Sequence, residues 1–344
     1  MSGFHVENSF EFISALVHGW WARGANNGRL EDLARCGTVD NFLHQLQSWE
    51  ILGSFDHEAV LHAFLLRQYR RLDRLSRLTG DAMHQYMESI KDELRNENIK
   101  LILNYRFFPE RVGQAEDVLI PFPGTPNSRS QIYAMLEAPT TGQFARQLCR
   151  RHDDLPQLQQ IIEQLERDHD IMRAENAIDN IGIAKTMDAA ARIRGAAGEA
   201  TRAIMCMMTD CTNAVTLLRN ASFYHLGHDA MEAAWLSGGQ LINHRLWQTL
   251  SERATREEVL AALPEPLPSI MAASPGDSLA QLENRLNRHL LRQARRYFCD
   301  AGSPALAVAV YPVILQFETI NLSRLYEGIR FSLPVETILE MLVA

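Results

Sequence analysis

Lysine is scarce in this chain of 344 residues, which contains only Lys91, Lys100 and Lys185. Its 34 basic residues are therefore almost all arginine, and its 42 acidic residues leave a formal net charge of −8. This charge argues against a nucleic-acid-binding protein, because such binding depends largely on neutralising phosphates. The chain also has no polybasic run that would dock on anionic lipid.

The features of a secreted or membrane-spanning protein are missing as well. The five cysteines are scattered and odd in number, which favours reduced thiols over a disulfide framework. The N-terminal stretch carries acids and lacks the basic-then-apolar order of a signal peptide. The longest apolar run, residues 305–315, is too short to cross about 30 Å of hydrocarbon. We therefore expect a cytoplasmic protein without a membrane span.

No nucleotide-binding motif is present. A P-loop ends in Gly-Lys-Ser/Thr, and this chain has no Gly-Lys pair. A dinucleotide-binding fold needs GxGxxG after a strand, and that pattern is also missing. We expect no ATP hydrolysis on this chain and no cofactor.

The twelve histidines suggest a metal site, but their spacing does not support one. His57 and His62 would lie about 140° apart around a helix, so they cannot share a metal ion. Glu166 and His169 form one ExxH pair, whereas a di-iron bundle needs two such pairs and two further glutamates.

One other group is close enough in sequence to bind a metal weakly: His225, His228 and Asp229. A solvated helix start explains these residues better. Cys206 and Cys211 are five residues apart, which is the wrong spacing for one helical face, and we expect both in the core. Because nucleophile signatures such as GxSxG are also absent, we predict no catalytic, cofactor-binding or metal-binding residue.

Helical periodicity accounts for most of the chain. Apolar residues recur at helical spacing in residues 6–23 and, with short breaks, from residue 56 to residue 108 and from 131 to 226. No segment alternates apolar and polar residues as a half-buried strand does. The proline-rich residues 121–130 are the clearest linker, and residues 263–277 are expected to form an irregular loop. The predicted fold is all-α.

Three of these helical segments share a pattern that begins with an asparagine. Asn98, Asn213 and Asn321 are each followed by apolar residues one, four and five positions later. These residues form one stripe on a helix, in which Leu217 and Leu325 are expected to be buried. The asparagine would lie at the edge between that stripe and water. Ten positions on, each segment has a phenylalanine that is expected to fold back onto the core: Phe108, Phe223 and Phe331.

The spacing of the asparagines indicates the size of the repeated unit. It is 213 − 98 = 115 and 321 − 213 = 108 residues, which matches a small domain and exceeds solenoid repeats of about 20 to 50 residues. We interpret the pattern as a triplication, with three similar helical-bundle domains at 1–125, 126–240 and 241–344. The alternative is ordinary similarity between unrelated amphipathic helices.

A second correspondence supports the triplication. Thr38, Thr140 and Thr255 each begin a similar apolar pattern, and each is expected to be a helix N-cap. Glu258 is expected to complete a capping box with Thr255.

The adjacent pair Trp20 and Trp21 has two readings. One of the two indoles must face away from the buried stripe of its helix, where it could anchor a partner protein. Alternatively, it could pack beneath the next helical unit.

The asparagine segments also resemble a known family. ENIKLIL, TDCTNAVTLLR and ETINLSRLYEGI are similar to helices of subunit d of the eukaryotic vacuolar proton ATPase, which corresponds to the C subunit of archaeal and bacterial V/A-type ATPases. HLGHDAMEAAWLSGGQL and the C-terminal SLPVETILEMLVA resemble further segments of that family. The first unit departs from the pattern, since Arg95 stands where Asp210 and Glu318 give the other units an acid.

The resemblance implies three similar domains in a pseudo-threefold funnel. It further implies a non-catalytic rotor subunit, present in a single copy, at the cytoplasmic face of the membrane. Its partners would be the central-stalk subunits of the ATPase head and the membrane proteolipid ring, and it would couple ATP hydrolysis or synthesis to proton or sodium transport. An unrelated helical scaffold is the main alternative, and an enzyme using His225, His228 and Asp229 is a third.

Overall fold

A computed structural model describes residues 9–53, 59–109, 119–123, 129–149, 154–274, 276–300 and 302–344. The structure is 78% helical, and the described residues contain no β-strand. The prediction of an all-α fold is therefore confirmed.

Seventeen α-helices lie in the described part of the chain. Those of the first half are α1 (Phe10–Arg23), α2 (Asn27–Ala34), α3 (Val39–Ser48), α4 (Val60–Leu78), α5 (Asp81–Phe107), α6 (Arg129–Leu136), α7 (Thr141–Leu148) and α8 (Leu155–Asp168). Those of the second half are α9 (Ile171–Arg192), α10 (Gly195–Arg219), α11 (His228–Ala234), α12 (His244–Ser251), α13 (Arg256–Ala262), α14 (Leu267–Met271), α15 (Leu279–Phe298), α16 (Pro304–Arg330) and α17 (Val335–Met341). A π-helical turn, Asn220–Tyr224, follows α10.

The three predicted threonine caps are confirmed. The hydroxyls of Thr38, Thr140 and Thr255 each accept a hydrogen bond from the backbone N–H three residues later, at 3.2, 3.2 and 3.3 Å. The expected capping box at Thr255 is wrong in its second half. The Glu258 carboxylate accepts the N–H of Ala254 instead, one residue before the cap.

Two other local expectations differ from the structure. The segment 263–277 is not wholly irregular, since α14 forms within it and buries Leu267 and Met271 in the core. The linker 121–130 ends earlier than expected, because α6 begins at Arg129.

Three pairs of short helices recur along the chain, and each packs against a long helix that carries one of the asparagines. Helices α6 and α7 pack on α5, where Phe144 meets Leu103 in one apolar cluster. Helices α12 and α13 pack on α10, where Trp247 and Val259 share the largest apolar cluster with Leu217.

The first short pair, α2 and α3, packs against α16, a helix from the other end of the sequence. Leu30 and Phe42 share an apolar cluster with Leu322 and Leu325 of α16. The N-terminal and C-terminal parts of the chain are thus joined through a common core. This cluster contains residues of the predicted first and third domains, and the predicted boundaries at 125/126 and 240/241 stay a prediction.

The apolar stripe is buried as predicted, but the asparagines do not lie at its edge. Leu217 and Leu325 are 1% and 0% exposed, and Asn98, Asn213 and Asn321 are 2%, 0% and 2% exposed. The expectation of an asparagine between core and water was wrong because it considered only the helix itself. Another segment of chain covers each asparagine, as described below.

The phenylalanine prediction is confirmed in one unit and wrong in two. Phe108 is buried, whereas Phe223 and Phe331 are 67% and 68% exposed. The reason is that α16 continues past Gly328 to Arg330, and α10 continues into the π-helical turn. At about 100° per residue, the tenth position then lies opposite the apolar stripe.

Among the described helices, α16 alone has the length and composition of a membrane span. It has 27 residues, and 78% of its most apolar window is buried inside the protein. It also contains Glu318, which pairs with two arginines of α4. Because its surface is covered by neighbouring helices, α16 is the central core helix of this fold.

Helices α5 and α9 pack closely and enclose an acidic side chain. Gly182 of α9 faces Asn96 and Glu93 of α5, and a Cβ there would crowd both. The hydroxyl of Thr186 donates to the Glu93 carboxyl at 2.5 Å. Burial is the main cause that raises the pKa of Glu93, to about 7, and Asp179 and other nearby acids raise it further.

Glu93 should therefore make stability fall as the pH rises. Its folded pKa lies above the unfolded value, so its favourable contribution is complete below about pH 4.5 and is lost as the pH rises through about 7. For the partly buried carboxyl we expect a loss of about 1–2 kcal/mol between about pH 5 and pH 8, which Glu93→Gln should abolish. Urea unfolding across this pH range measures the effect.

The matched control is Glu199→Gln, at an exposed position of α10. It should keep the wild-type pH dependence. A Glu93→Gln variant with that same dependence would show that Glu93 does not carry it.

Candidate functional site

Each of the three asparagines binds the backbone of a single residue in the segment that follows its helix. The side-chain amide nitrogen donates to the carbonyl of that residue, and the side-chain oxygen accepts its N–H. The bond lengths, in that order, are 2.7 and 3.0 Å for Asn98 with Ile120, 2.8 and 3.1 Å for Asn213 with Leu236, and 2.6 and 2.8 Å for Asn321 with Val343. We call each such pair an asparagine clamp.

The clamps recur at nearly constant spacing. The bound residue lies 22, 23 and 22 positions after its asparagine. A primary amide carries one acceptor and two donors, so it matches the N–H and C=O of one backbone residue. Aspartate could accept but not donate at neutral pH. The residue type at Asn98, Asn213 and Asn321 is therefore set by this contact.

Sequence reasoning found the asparagines and missed their partners. Ile120, Leu236 and Val343 contribute only backbone atoms to the clamps, so their side chains carry no signal of it. Their nearly constant spacing of 22 or 23 residues from each asparagine was the signal that could have located them.

Asp210, three residues before Asn213, binds a second segment of backbone. Its carboxylate accepts the N–H groups of Gln240, Leu241 and Ile242 at 2.9, 3.0 and 2.9 Å. Gly239 lies against the same carboxylate, and a Cβ atom at position 239 would collide with it. The buried charge is thus satisfied by backbone donors, and it fixes the segment that leads into α12.

Glu318, three residues before Asn321, occupies the equivalent place in α16. It accepts the N–H of Ala25 at 2.8 Å, and Gly24 lies so close that a Cβ would collide with the carboxylate. It therefore fixes the segment that leads into α2, although Ala25 and Glu318 are 293 residues apart in sequence. The acid, the glycine and the bound N–H recur in both places.

Glu318 differs from Asp210 in also binding two arginines. Arg67 donates to it at 2.8 Å and Arg71 at 3.3 Å, and Arg71 also donates to the Tyr311 hydroxyl at 2.9 Å. Burial alone would raise the pKa of Glu318, but the two guanidinium groups hold it below its usual value. The carboxylate is therefore charged at neutral pH.

The first unit lacks this acid, as its sequence indicated. Arg95 occupies the position and donates to Asp92 at 2.6 Å and to the Tyr69 hydroxyl. In the first unit, an arginine that contacts Asp92 and Tyr69 thus replaces the acid that binds backbone in the other two units. The asparagine clamp at Asn98 is retained.

The residues considered for metal binding are not brought together. The described residues contain no group of three or more His, Cys, Asp or Glu side chains placed to hold a metal ion. His225 ends the π-helical turn in a left-handed conformation, and His228 begins α11. Glu166 accepts a hydrogen bond from Thr141, and His169 caps α8. His57 lies outside the described residues.

Both tryptophans of the adjacent pair pack within the chain. Trp20 lies 6.0 Å from Tyr311 and Trp21 lies 5.6 Å from Phe298, measured between ring centroids. Both contacts are with helices of the predicted third unit. This geometry agrees with packing beneath another unit and leaves neither indole as a free anchor.

The family model for the ATP synthase (C/AC39) subunit matches residues 13–341 of this chain. The chain belongs to the ATP synthase (C/AC39) subunit family. The match confirms the resemblance to the C and d subunits of V/A-type ATPases. No curated protein matches the chain.

The most exposed large aromatic residues in the described part of this AC39-family chain lie at the ends of α10 and α16. Phe223 and Tyr224, after α10, are 67% and 64% exposed, and Phe331, after α16, is 68% exposed. Leu333 lies nearby in sequence and is also exposed. Large exposed apolar side chains are common at protein interfaces. We name Phe223, Tyr224 and Phe331 the helix-end aromatic sites and treat them, together with Leu333, as candidate partner contacts.

The clamps predict a specific sensitivity to loss of the amide donor. Asn321→Asp keeps the shape and the acceptor but leaves the Val343 carbonyl without its donor and buries a carboxylate. We expect a loss of about 2–4 kcal/mol in the free energy of unfolding. Asn213→Asp should behave similarly, as measured by urea unfolding.

The control substitution is Asn41→Asp, because Asn41 is exposed. Its effect should stay within about 0.5 kcal/mol. Equal, small effects at all three positions would contradict a structural role for the clamps.

Proposed function

We propose that this chain is a non-catalytic rotor subunit of a V/A-type ATPase. In this role it links the central stalk of the ATPase head to the membrane proteolipid ring, and it couples ATP hydrolysis or synthesis to proton or sodium transport. The observation that carries the proposal is the family match over residues 13–341. One copy per complex, held at the cytoplasmic face through its partners, completes the proposal.

A link that transmits torque must resist deformation, and the packing described above supports such a role. Close-packed interiors have low compressibility and transmit strain. The chain has long packed helices, and its N-terminal short pair is fixed to α16 by an apolar cluster and by Glu318. The N-terminal short pair is thus held to the core by its own contacts as well as by its chain connection.

The three clamps also support the proposed internal symmetry. An identical side-chain contact at spacings of 22, 23 and 22 residues, together with three short helix pairs, favours a triplicated unit over chance similarity. We propose a pseudo-threefold funnel of three helical domains on this basis. A triplicated protein of this kind would present three related surfaces to a ring-shaped partner.

The helix-end aromatic sites are the proposed contact with one of the two rotor partners. Their exposure in the isolated chain is explained if the assembled rotor covers them. Aromatic residues are enriched at interface hot spots, where a single truncation can cost about 2 kcal/mol or more.

Co-expression with the central-stalk and proteolipid subunits of a V/A-type ATPase tests the proposal. We expect the wild-type chain to co-purify with both partners. Phe223→Ser combined with Phe331→Ser should weaken retention of one partner by about tenfold or more. Tyr133→Ser is the matched control, because Tyr133 is 44% exposed and lies on α6 rather than at the end of α10 or α16.

A chain that co-purifies with neither partner would contradict the rotor assignment and favour an unrelated helical scaffold. Retention of both partners by the double variant would leave the rotor assignment intact and remove the helix-end aromatic sites from the interface.

A further inference from the structure

A cavity of about 530 Å³ lies beside α4. Its apolar wall includes Trp20, Leu52 and Leu66. Small-molecule sites typically have volumes of about 300–1,000 Å³ and combine an apolar wall with a few convergent polar groups. The volume and the mixed lining therefore fit a small ligand.

The polar wall of this cavity is a row of four arginines: Arg67, Arg70, Arg71 and Arg74. Their spacing of three, four and seven residues places them on one face of α4. The row from Arg67 to Arg74 is about 10 Å long, because each helical residue adds about 1.5 Å along the axis. A single hydrogen bond spans only about 3 Å between its heavy atoms. The cavity thus offers an extended row of guanidinium groups.

Among the residues that the structure describes, this row carries more positive charge than its acidic neighbours neutralise. Glu318 pairs with Arg67 and Arg71. Arg70 and Arg74 form no ion pair with any described residue, and no acidic side chain is among the described residues that line the cavity. Arg74 and Arg71 lie over the Trp20 ring, each at 5.5 Å from its centroid.

Arg67 forms the buried end of this row. The residue is only 8% exposed, and its Nη1 atom is buried without a hydrogen-bond partner. An orphaned donor on a buried guanidinium carries a desolvation penalty that native proteins usually avoid. That atom is itself closed off from solvent, so a ligand in the cavity would bind the exposed guanidinium groups of Arg70 and Arg74.

We infer that this cavity binds a small molecule with two or more linked phosphoryl groups. Guanidinium groups bind phosphate oxygens in pairs of parallel hydrogen bonds. A row of about 10 Å fits two adjacent phosphoryl groups better than one. This inference does not rest on the proposed rotor role.

Equilibrium dialysis of the full chain with radiolabelled pyrophosphate tests this inference. We expect saturable binding of one equivalent, about tenfold or more tighter than that of orthophosphate. An ADP competition arm identifies the source of the diphosphate. If ADP competes more strongly than unlabelled pyrophosphate, the apolar wall contacts the organic part of the ligand. If the two compete equally, only the diphosphate is recognised.

The double variant Arg70→Ala and Arg74→Ala should weaken pyrophosphate binding by about tenfold or more. Both residues are exposed, so the fold should be retained, which urea unfolding checks. Arg77→Ala is the matched control: it is exposed on the same helix but does not line the cavity. The inference is overturned by an absence of saturable binding, by unchanged binding in the double variant, or by citrate binding as tightly as pyrophosphate.

Discussion

The structure depends on hydrogen bonds from side chains of long helices to the backbone of segments that connect them. A connecting segment that is buried must satisfy its N–H and C=O groups without a helix or sheet of its own. Asn98, Asn213 and Asn321 do this for one residue each, and Asp210 and Glu318 do it for the segments that lead into short helix pairs. These contacts fix where each segment lies on the core.

Glu318 has the additional effect of joining the two ends of the sequence. It binds the backbone at Ala25 and the guanidinium groups of Arg67 and Arg71 in one buried cluster. Buried ion pairs often add little net stability, because desolvation opposes their attraction, but removing one partner is costly. We therefore regard the cluster as a determinant of arrangement, with the neighbouring apolar cluster of α2, α3 and α16 supplying the stabilising burial.

Much of the fold followed from periodicity and capping, whereas contacts across the sequence did not. The stripe around Leu217 and Leu325 and the cap at Thr38 are local features, and the structure confirms them. The sequence indicated only the asparagine of each clamp, because the residue that it binds contributes only backbone atoms. The exposure of Phe331 was mispredicted because a helix was expected to end at a glycine that it passes through.

The contacts around Glu318 could not be predicted from local sequence patterns. Arg67 and Arg71 read as part of an amphipathic helix, and nothing in their neighbourhood indicates that Glu318, 251 and 247 residues away, lies between them. The acid three residues before an asparagine, repeated at Asp210 and Glu318, is visible in the sequence. Its role became clear only with the glycine and the N–H that face it, because the bound N–H groups lie 30 to 32 residues from Asp210 and 293 residues from Glu318.

Hydrogen exchange in the Glu318→Ala variant tests the central claim most directly. If Glu318 fixes the N-terminal short pair to α16, exchange of the backbone amides in residues 25–34 should accelerate by about tenfold or more, because local opening becomes easier. Exchange in residues 129–148, the second short pair, should stay at the wild-type rate. Unchanged exchange in residues 25–34, or equal acceleration in both segments, would contradict the account.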